Sequence, residues 1–212
     1  MPYNPNMDHK DTVKAGYNKI ADRYLAERTR DSEDVRLLDE LIKMLPAGGK
    51  VLDAGCGAGV PISLMLSEKF DVTGVDFSEA QVELARKNVP NAEFLCEDMT
   101  KLNFPDNVFD GICSYYAIIH IPREEHQSLL ANFNRMLKTG GPALLCLGAE
   151  NLIDDIDGNY LGTRMYWSHY DIETYLKMLK DCGFTIIWGK RVADGTCEGA
   201  AHLFVLVEKE PV

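Results

Sequence analysis

Three aspartates, each near the end of a short apolar run, are the residues of this chain best placed to do chemistry. Asp53 closes VLD before the glycine-dense AGCGAGVP, Asp76 closes DVTGVD, and Asp98 follows AEFLCE. A carboxylate at such an end can accept from a ligand's hydroxyl or amino groups. Gly55, Gly57 and Gly59 supply positions where the backbone can take positive φ and a ligand can approach its amides. The helix expected to begin near Val60 adds unpaired N–H groups and a partial positive charge, which favour an anionic or carboxylate-bearing ligand. His120 is the side chain best suited to hold or move a proton near neutral pH.

The order of the glycines narrows the ligand. A dinucleotide fingerprint needs Gly-x-Gly-x-x-Gly, whereas Val60 stands where the third glycine should be. Asp53, two residues before Gly55, would repel a pyrophosphate and attract a cation. S-adenosylmethionine, with its ammonium and sulfonium, fits this arrangement better than a nicotinamide dinucleotide. Asp76 lies about twenty residues past the first glycine, the offset at which a strand-end carboxylate grips a ribose diol. Ser78 can cap the following helix, with Val82, Leu84 and Ala85 toward a sheet. Asp98 can accept from an adenine amino group while Met99 packs on the ring.

These motifs, VLDAGCGAG, VTGVDFSEAQVELA and EDMTKLNFPDNVFDGI, together with YNKIADRY, IIHI and RMLKTGGPALL, resemble the class I S-adenosylmethionine-dependent methyltransferases of the small-molecule branch. The resemblance covers roughly Tyr17 to Leu147. It implies that Asp53, Gly55 and Gly57 hold the methionine moiety, that Asp76 binds the ribose with Phe77 beside the adenine, and that Asp98 and Met99 meet the adenine amino edge. It also places the backbone of Ser114 toward the cofactor's amino-acid end. Tyr17, Tyr24 and Arg28 fall on an amphipathic N-terminal helix that either folds over the cofactor or simply packs.

Toward the reactive end, His120 is the candidate catalytic residue, with Tyr116 beside it. The histidine acts as a base, hydrogen-bonds the cofactor, or caps the turn before Pro122. An amine or thiol acceptor can lose its proton beforehand, whereas a phenol or alcohol benefits from a base with pKa near neutral. Residues 148–169 lack a clear period and are expected to form a lid loop, since loops this long in compact domains usually carry function. Tyr160, Met165, Tyr166 and Trp167 either wall a pocket suited to a cationic or apolar acceptor or plug the end of the sheet. Asp154, Asp155 and Asp157 attract an amine or keep the loop soluble. His202, on an expected hairpin strand, is a further substrate-side candidate, and His169 precedes a helix; His9 and His126 read as surface residues.

Positioning these groups requires alternating strands and helices after Lys50, which implies an α/β, Rossmann-like, doubly wound sheet with helices on both faces. Seven mostly parallel strands ending in an antiparallel C-terminal hairpin are what the resemblance implies. The 212 residues suit one methyltransferase domain, with a helical cap over residues 1–45. The helix PREEHQSLLANFNRMLK stops before Gly140 and Gly141, and Tyr170 to Cys182 repeats the amphipathic pattern. The formal net charge of −11 disfavours nucleic acid and anionic membrane and leaves a small-molecule acceptor as the expected partner. Six cysteines without a C-x-x-C pair read as buried free thiols, Cys56, Cys96, Cys113 and Cys146 falling in the glycine loop or in expected buried strands, and no metal site is expected. The absence of an apolar spanning run or leader makes a cytoplasmic protein the expectation. Two other readings stay open: a non-catalytic S-adenosylmethionine-binding or partner subunit, and a nicotinamide oxidoreductase.

Overall fold

The apolar runs after Lys50 are short and bounded by glycine, aspartate and proline, so they form strands rather than helices. A computed structural model describes residues 8–29, 31–193 and 200–211. Strands β1 (Lys50–Ala54), β2 (Asp71–Asp76), β3 (Glu93–Cys96), β4 (Gly111–Ser114) and β5 (Pro142–Gly148) pair in parallel. Strands β6 (Leu152–Tyr160) and β7 (Thr163–His169) form a separate hairpin, and β8 (Phe184–Ala193) and β9 (Ala201–Lys209) complete the large sheet in antiparallel register. The seven-stranded order is β3-β2-β1-β4-β5-β9-β8. It reverses between β1 and β4, the point where open α/β sheets part to form a ligand crevice.

Helices cover both faces. On one, α6 (His126–Met136) and α7 (Ile172–Asp181) bury Leu130, Phe133 and Leu179 against Leu52, Ile112 and Leu145. On the other, α3 (Leu38–Met44) and α4 (Ile62–Ser67), with the short α2 (Glu33–Arg36) before them, cover Val51, Val72 and Leu144. Helix α5 (Glu79–Asn88) starts at Ser78, whose hydroxyl accepts from the Gln81 N–H as expected of a cap. Helix α1 (His9–Glu27) follows the spacing Val13, Gly16, Tyr17, Ile20, Ala21, Tyr24 and lays that stripe on β7 and its neighbours. The described residues up to 45 therefore split: α1 lies over the strand ends, while α3 belongs to the sheet's core.

Four local expectations are corrected. Residues 152–169 are a β-hairpin, not a loop; Leu161 and Gly162 both take positive φ, 48° and 84°, and close it as a two-residue turn. Its sequence hides this, because Gly158-Asn159, the stronger turn signal, lies inside β6. His126 is fully buried: its Nδ1 accepts from the Tyr175 hydroxyl (2.8 Å) and its Nε2 donates to the Ile121 carbonyl (3.0 Å). Arg28 caps α1 in extended conformation instead of lying on it. Cys96 is exposed at the end of β3, where an edge strand leaves it uncovered; Cys197 lies outside the described residues.

Candidate active site

The carboxyl ends of β1, β2 and β3 deliver the first side chains. Asp53, at the end of β1, is buried; the Ser63 hydroxyl donates to it at 2.5 Å and the Cys113 thiol at 3.6 Å. Burial pushes its pKa up to about 6 against those two hydrogen bonds. Asp76, at the end of β2, accepts from the Ser78 N–H (2.9 Å) and the Gly57 N–H (3.0 Å), and burial likewise lifts it to about 6. Asp98 accepts from Thr100 through its N–H (2.9 Å) and hydroxyl (2.7 Å), and from Lys10 Nζ at 3.2 Å. These donors outweigh its desolvation and hold it below the ordinary carboxylate range.

Gly55 and Gly57 make the cradle between these acids. A Cβ at Gly55, where φ is +81°, would sit 2.1 Å from the Ala117 Cβ, so only glycine fits there. At Gly57 a Cβ would reach 3.7 Å from Gln81 Oε1. An inner cavity opens above the cradle, lined by Gly55, Gly57, Asp76, Phe77, Asp98 and Met99, with Tyr17, Tyr24, Tyr116 and His120 at its far side. A small lobe beside it brings Asp53 and Arg28 to the same glycines.

A wider outer cavity, about 390 Å³, lies beyond that far side. It is lined by Tyr160, Trp167, His169 and His202, by Asp155, Asp157 and Glu150, and again by Tyr17, Tyr24, Tyr116 and His120. The four shared residues are a common wall. His120 Nδ1 lies 2.7 Å from the Tyr166 carbonyl, which can only accept, so Nδ1 carries the proton and Nε2 accepts from the Tyr17 hydroxyl at 2.9 Å. Burial lowers the His120 pKa to about 4, and burial raises Tyr17 well above the ordinary phenol value, so both are neutral at pH 7. Tyr116 takes a left-handed φ of 52°, rare for a bulky residue, with the Arg28 guanidinium 4.9 Å from its ring centroid and His202 edge-on at 5.1 Å. Burial keeps its hydroxyl protonated too, so it can donate a hydrogen bond but not serve as a base.

Two of the expected site residues stand apart from both cavities. Met165 is fully buried under α1 with Val13 and Ile20, because its strand turns that side chain inward. Ser114 is buried behind the wall, and Tyr115 and Tyr116 line the cavities in its place. Gln81 was not foreseen. It is buried in the first turn of α5, lines the inner cavity, and neither its Oε1 nor its Nε2 has a partner among the described residues. It sits three residues after the cap, in the first turn of the helix, where a polar side chain reads as solvated from the sequence alone. Lys10, likewise missed, ties α1 to Asp98, to the Thr100 hydroxyl at 2.9 Å and to Glu125 at 2.6 Å.

Residues 51–141 match a family model described as a methyltransferase domain. The chain is 34% identical over 175 residues to phosphoethanolamine N-methyltransferase 1 of Arabidopsis thaliana, an alignment covering 78% of this chain and 35% of that protein. It spans about a third of the length of the first curated relatives it matches, 35–36%. Among solved structures, the Burkholderia thailandensis 1,6-didemethyltoxoflavin-N1-methyltransferase with bound 1,6-didemethyltoxoflavin and S-adenosylhomocysteine superposes with a TM-score of 0.73 at 16% identity, covering 100% of this chain and 93% of that one. The magnesium protoporphyrin IX methyltransferase of Synechocystis PCC 6803 with bound S-adenosylmethionine gives 0.73 at 18% identity, covering 98% and 100%. At such identities these two likenesses speak for the fold alone.

Proposed function

Because this chain belongs to the class I S-adenosylmethionine-dependent methyltransferases, we propose that it transfers the methyl group of S-adenosylmethionine to a small-molecule acceptor held in the outer cavity. The observation that carries this reading is the shared wall of Tyr17, Tyr24, Tyr116 and His120, which separates a narrow glycine-cradled cavity from a wide aromatic one. The residues present fit the donor. Gln81 keeps a buried amide donor and acceptor facing the inner cavity, an arrangement that costs free energy unless a polar ligand satisfies it.

S-adenosylmethionine supplies an electrophilic methyl on a sulfonium. In our reading Asp76 and Gln81 hold the ribose hydroxyls, and Phe77 and Met99 sandwich the adenine whose amino group donates to Asp98. The Gly55–Gly57 backbone and the Asp53 lobe receive the methionine end, with Tyr24 and Arg28 closing that lobe. The Ser114 strand end supports the wall rather than touching the ligand. Tyr160, Trp167 and His202 line the acceptor's side. His120, neutral and locked by the Tyr166 carbonyl, orients the Tyr17 hydroxyl at the junction of the two cavities. The protein's contribution is then alignment and exclusion of water, which suits an in-line displacement at carbon. The net charge of −11 supports a small-molecule acceptor over a nucleic acid, and the five free cysteines among the described residues support a reducing, cytoplasmic setting.

Calorimetric titration with S-adenosylmethionine, S-adenosylhomocysteine and NAD tests the reading, with Asp76→Ala alongside. Adenosyl-ligand binding without NAD binding, lost in the variant, is the expected result. A folded protein that binds no adenosyl ligand would overturn it.

A further inference from the structure

The outer cavity has an electrostatic character that says what it can hold. Among its described lining residues three are carboxylates, Glu150, Asp155 and Asp157, and one is a cation at neutral pH, Arg28. That arginine is already engaged: its guanidinium lies 3.5 Å from Asp34 and over the Tyr116 ring. Glu150 is answered by Arg191 at 3.0 Å, but neither Asp155 nor Asp157 has a cationic partner among the described residues. The strand register sets Asp155 directly across from Trp167, so a carboxylate and an indole share one patch of wall. Tyr160 packs edge-on against that indole at 5.2 Å, and His120 lies 5.4 Å from it.

Aromatic faces backed by unanswered carboxylates attract a cation and repel a phosphate. We propose that the acceptor is a cationic amine that carries no phosphate, with Asp155, Asp157 and the Trp167–Tyr160 pair as its recognition surface. This rests on the methyltransferase reading and sharpens it. It would set the chain apart from the relatives whose names give phosphoethanolamine as substrate. Proton handling at the wall points the same way. The histidine at the wall spends its lone pair on Tyr17 and is a weak base, its pKa held near about 4 by burial, so the wall offers no strong base. An amine does not require one there. The ammonium form gives its proton to water before attack; the nitrogen lone pair then forms the N–C bond while the C–S bond breaks with its electrons left on sulfur. The methylated nitrogen keeps the positive charge, and a second proton leaves only after transfer.

The test uses the whole chain saturated with S-adenosylhomocysteine, titrated calorimetrically with tyramine and choline and with their phosphorylated counterparts, O-phosphotyramine and phosphocholine. The expected result is that at least one unphosphorylated cation binds about tenfold or more tighter than its phosphorylated partner. The Asp155→Asn/Asp157→Asn double variant should weaken that cation by a similar factor while leaving S-adenosylhomocysteine affinity unchanged, which also shows that the variant is folded. A phosphorylated compound binding as well as its partner, indifference to the double substitution, or no binding by either cation would overturn the inference. Failure to bind S-adenosylhomocysteine at all would instead remove the methyltransferase reading beneath it.

Discussion

Asp76 shows how a single buried carboxyl ties recognition to pH. Two backbone N–H groups favour its charged form, yet desolvation wins and sets its pKa near about 6. The carboxylate, not the acid, has the full set of lone pairs needed to accept from both amides and from a ribose hydroxyl. Affinity for S-adenosylhomocysteine should therefore fall as pH drops through 6, by about tenfold between pH 7 and pH 5, since roughly a tenth of a group with that pKa stays ionised at pH 5. Calorimetry at the two pH values checks this, and an unchanged affinity would remove Asp76 from the site. Gln81 makes a complementary prediction. Gln81→Met keeps the volume but removes the amide, and should weaken S-adenosylhomocysteine by about tenfold with little change in melting temperature, because that amide has no partner to lose among the described residues. The strand-end acids were legible in the sequence because each follows a short apolar run, and Asp53 also flanks the glycine loop. Gln81 was not, because a polar residue in the first turn of a helix reads as solvated until the helix's rotation is known.

At the scale of elements, what was legible is what local periodicity encodes. The parallel strands and the Ser78-capped helix follow from runs whose pattern and flanking residues agree, whereas the antiparallel pairing at the C-terminal end came with the family resemblance. The β6–β7 hairpin was not legible, since three aspartates, a glycine and an asparagine occupy one strand and the closing turn uses Leu161 at positive φ. What holds that hairpin is long-range: α1 packs against β7 so closely that a Cβ at Gly16 would lie 2.8 Å from the Arg164 carbonyl and 3.0 Å from the Met165 Cε. Lys19 and Arg23 add hydrogen bonds from α1 to the turn carbonyls of Gly162 (2.7 Å) and Leu161 (3.1 Å). The same helix reaches the other rim, where Asn18 accepts from the Ser78 hydroxyl at 2.7 Å and Lys10 pairs with Asp98. One rigid rod thus spans both cavities. Gly16→Val should push it off β7 at a cost of about 1–3 kcal/mol, enough to lower the melting temperature by several degrees. It should also weaken S-adenosylhomocysteine, although Gly16 does not line the inner cavity. Scanning calorimetry with and without ligand reads both effects, and a variant with normal stability and affinity would show that α1 does not couple the two rims.

For the molecule as a whole, the buried titratable groups oppose one another. Burial lowers His120 and His126 from 6.5 to about 4, so the unfolded chain binds their protons more readily. Stability they support is present above pH 6.5 and is lost as pH falls toward 4. Asp53 and Asp76 behave the other way. Raised from 3.8 to about 6, they take up protons in the folded state first, and so stability rises as pH falls across that same interval. Each shift corresponds to a term on the order of 3 kcal/mol, two of each sign, so the ligand-free protein should change little in stability between pH 6.5 and pH 4.5 on account of these four groups. Ligand upsets the balance. If Asp76 must stay ionised to hold the ribose, saturating S-adenosylhomocysteine removes one of the two compensating proton uptakes and leaves one histidine's loss uncovered. The melting temperature of the complex should then fall more steeply below pH 6 than that of the free protein, the two curves converging toward pH 4.5. His126→Asn, remote from both cavities, should lower stability at pH 7.5, where the Tyr175 hydroxyl loses its acceptor, and flatten the acid limb of the complex. Parallel melting curves for free and bound protein across this range would show instead that ligand binding leaves the carboxyl protons where they were, and that Asp76 is not the group the cofactor holds ionised.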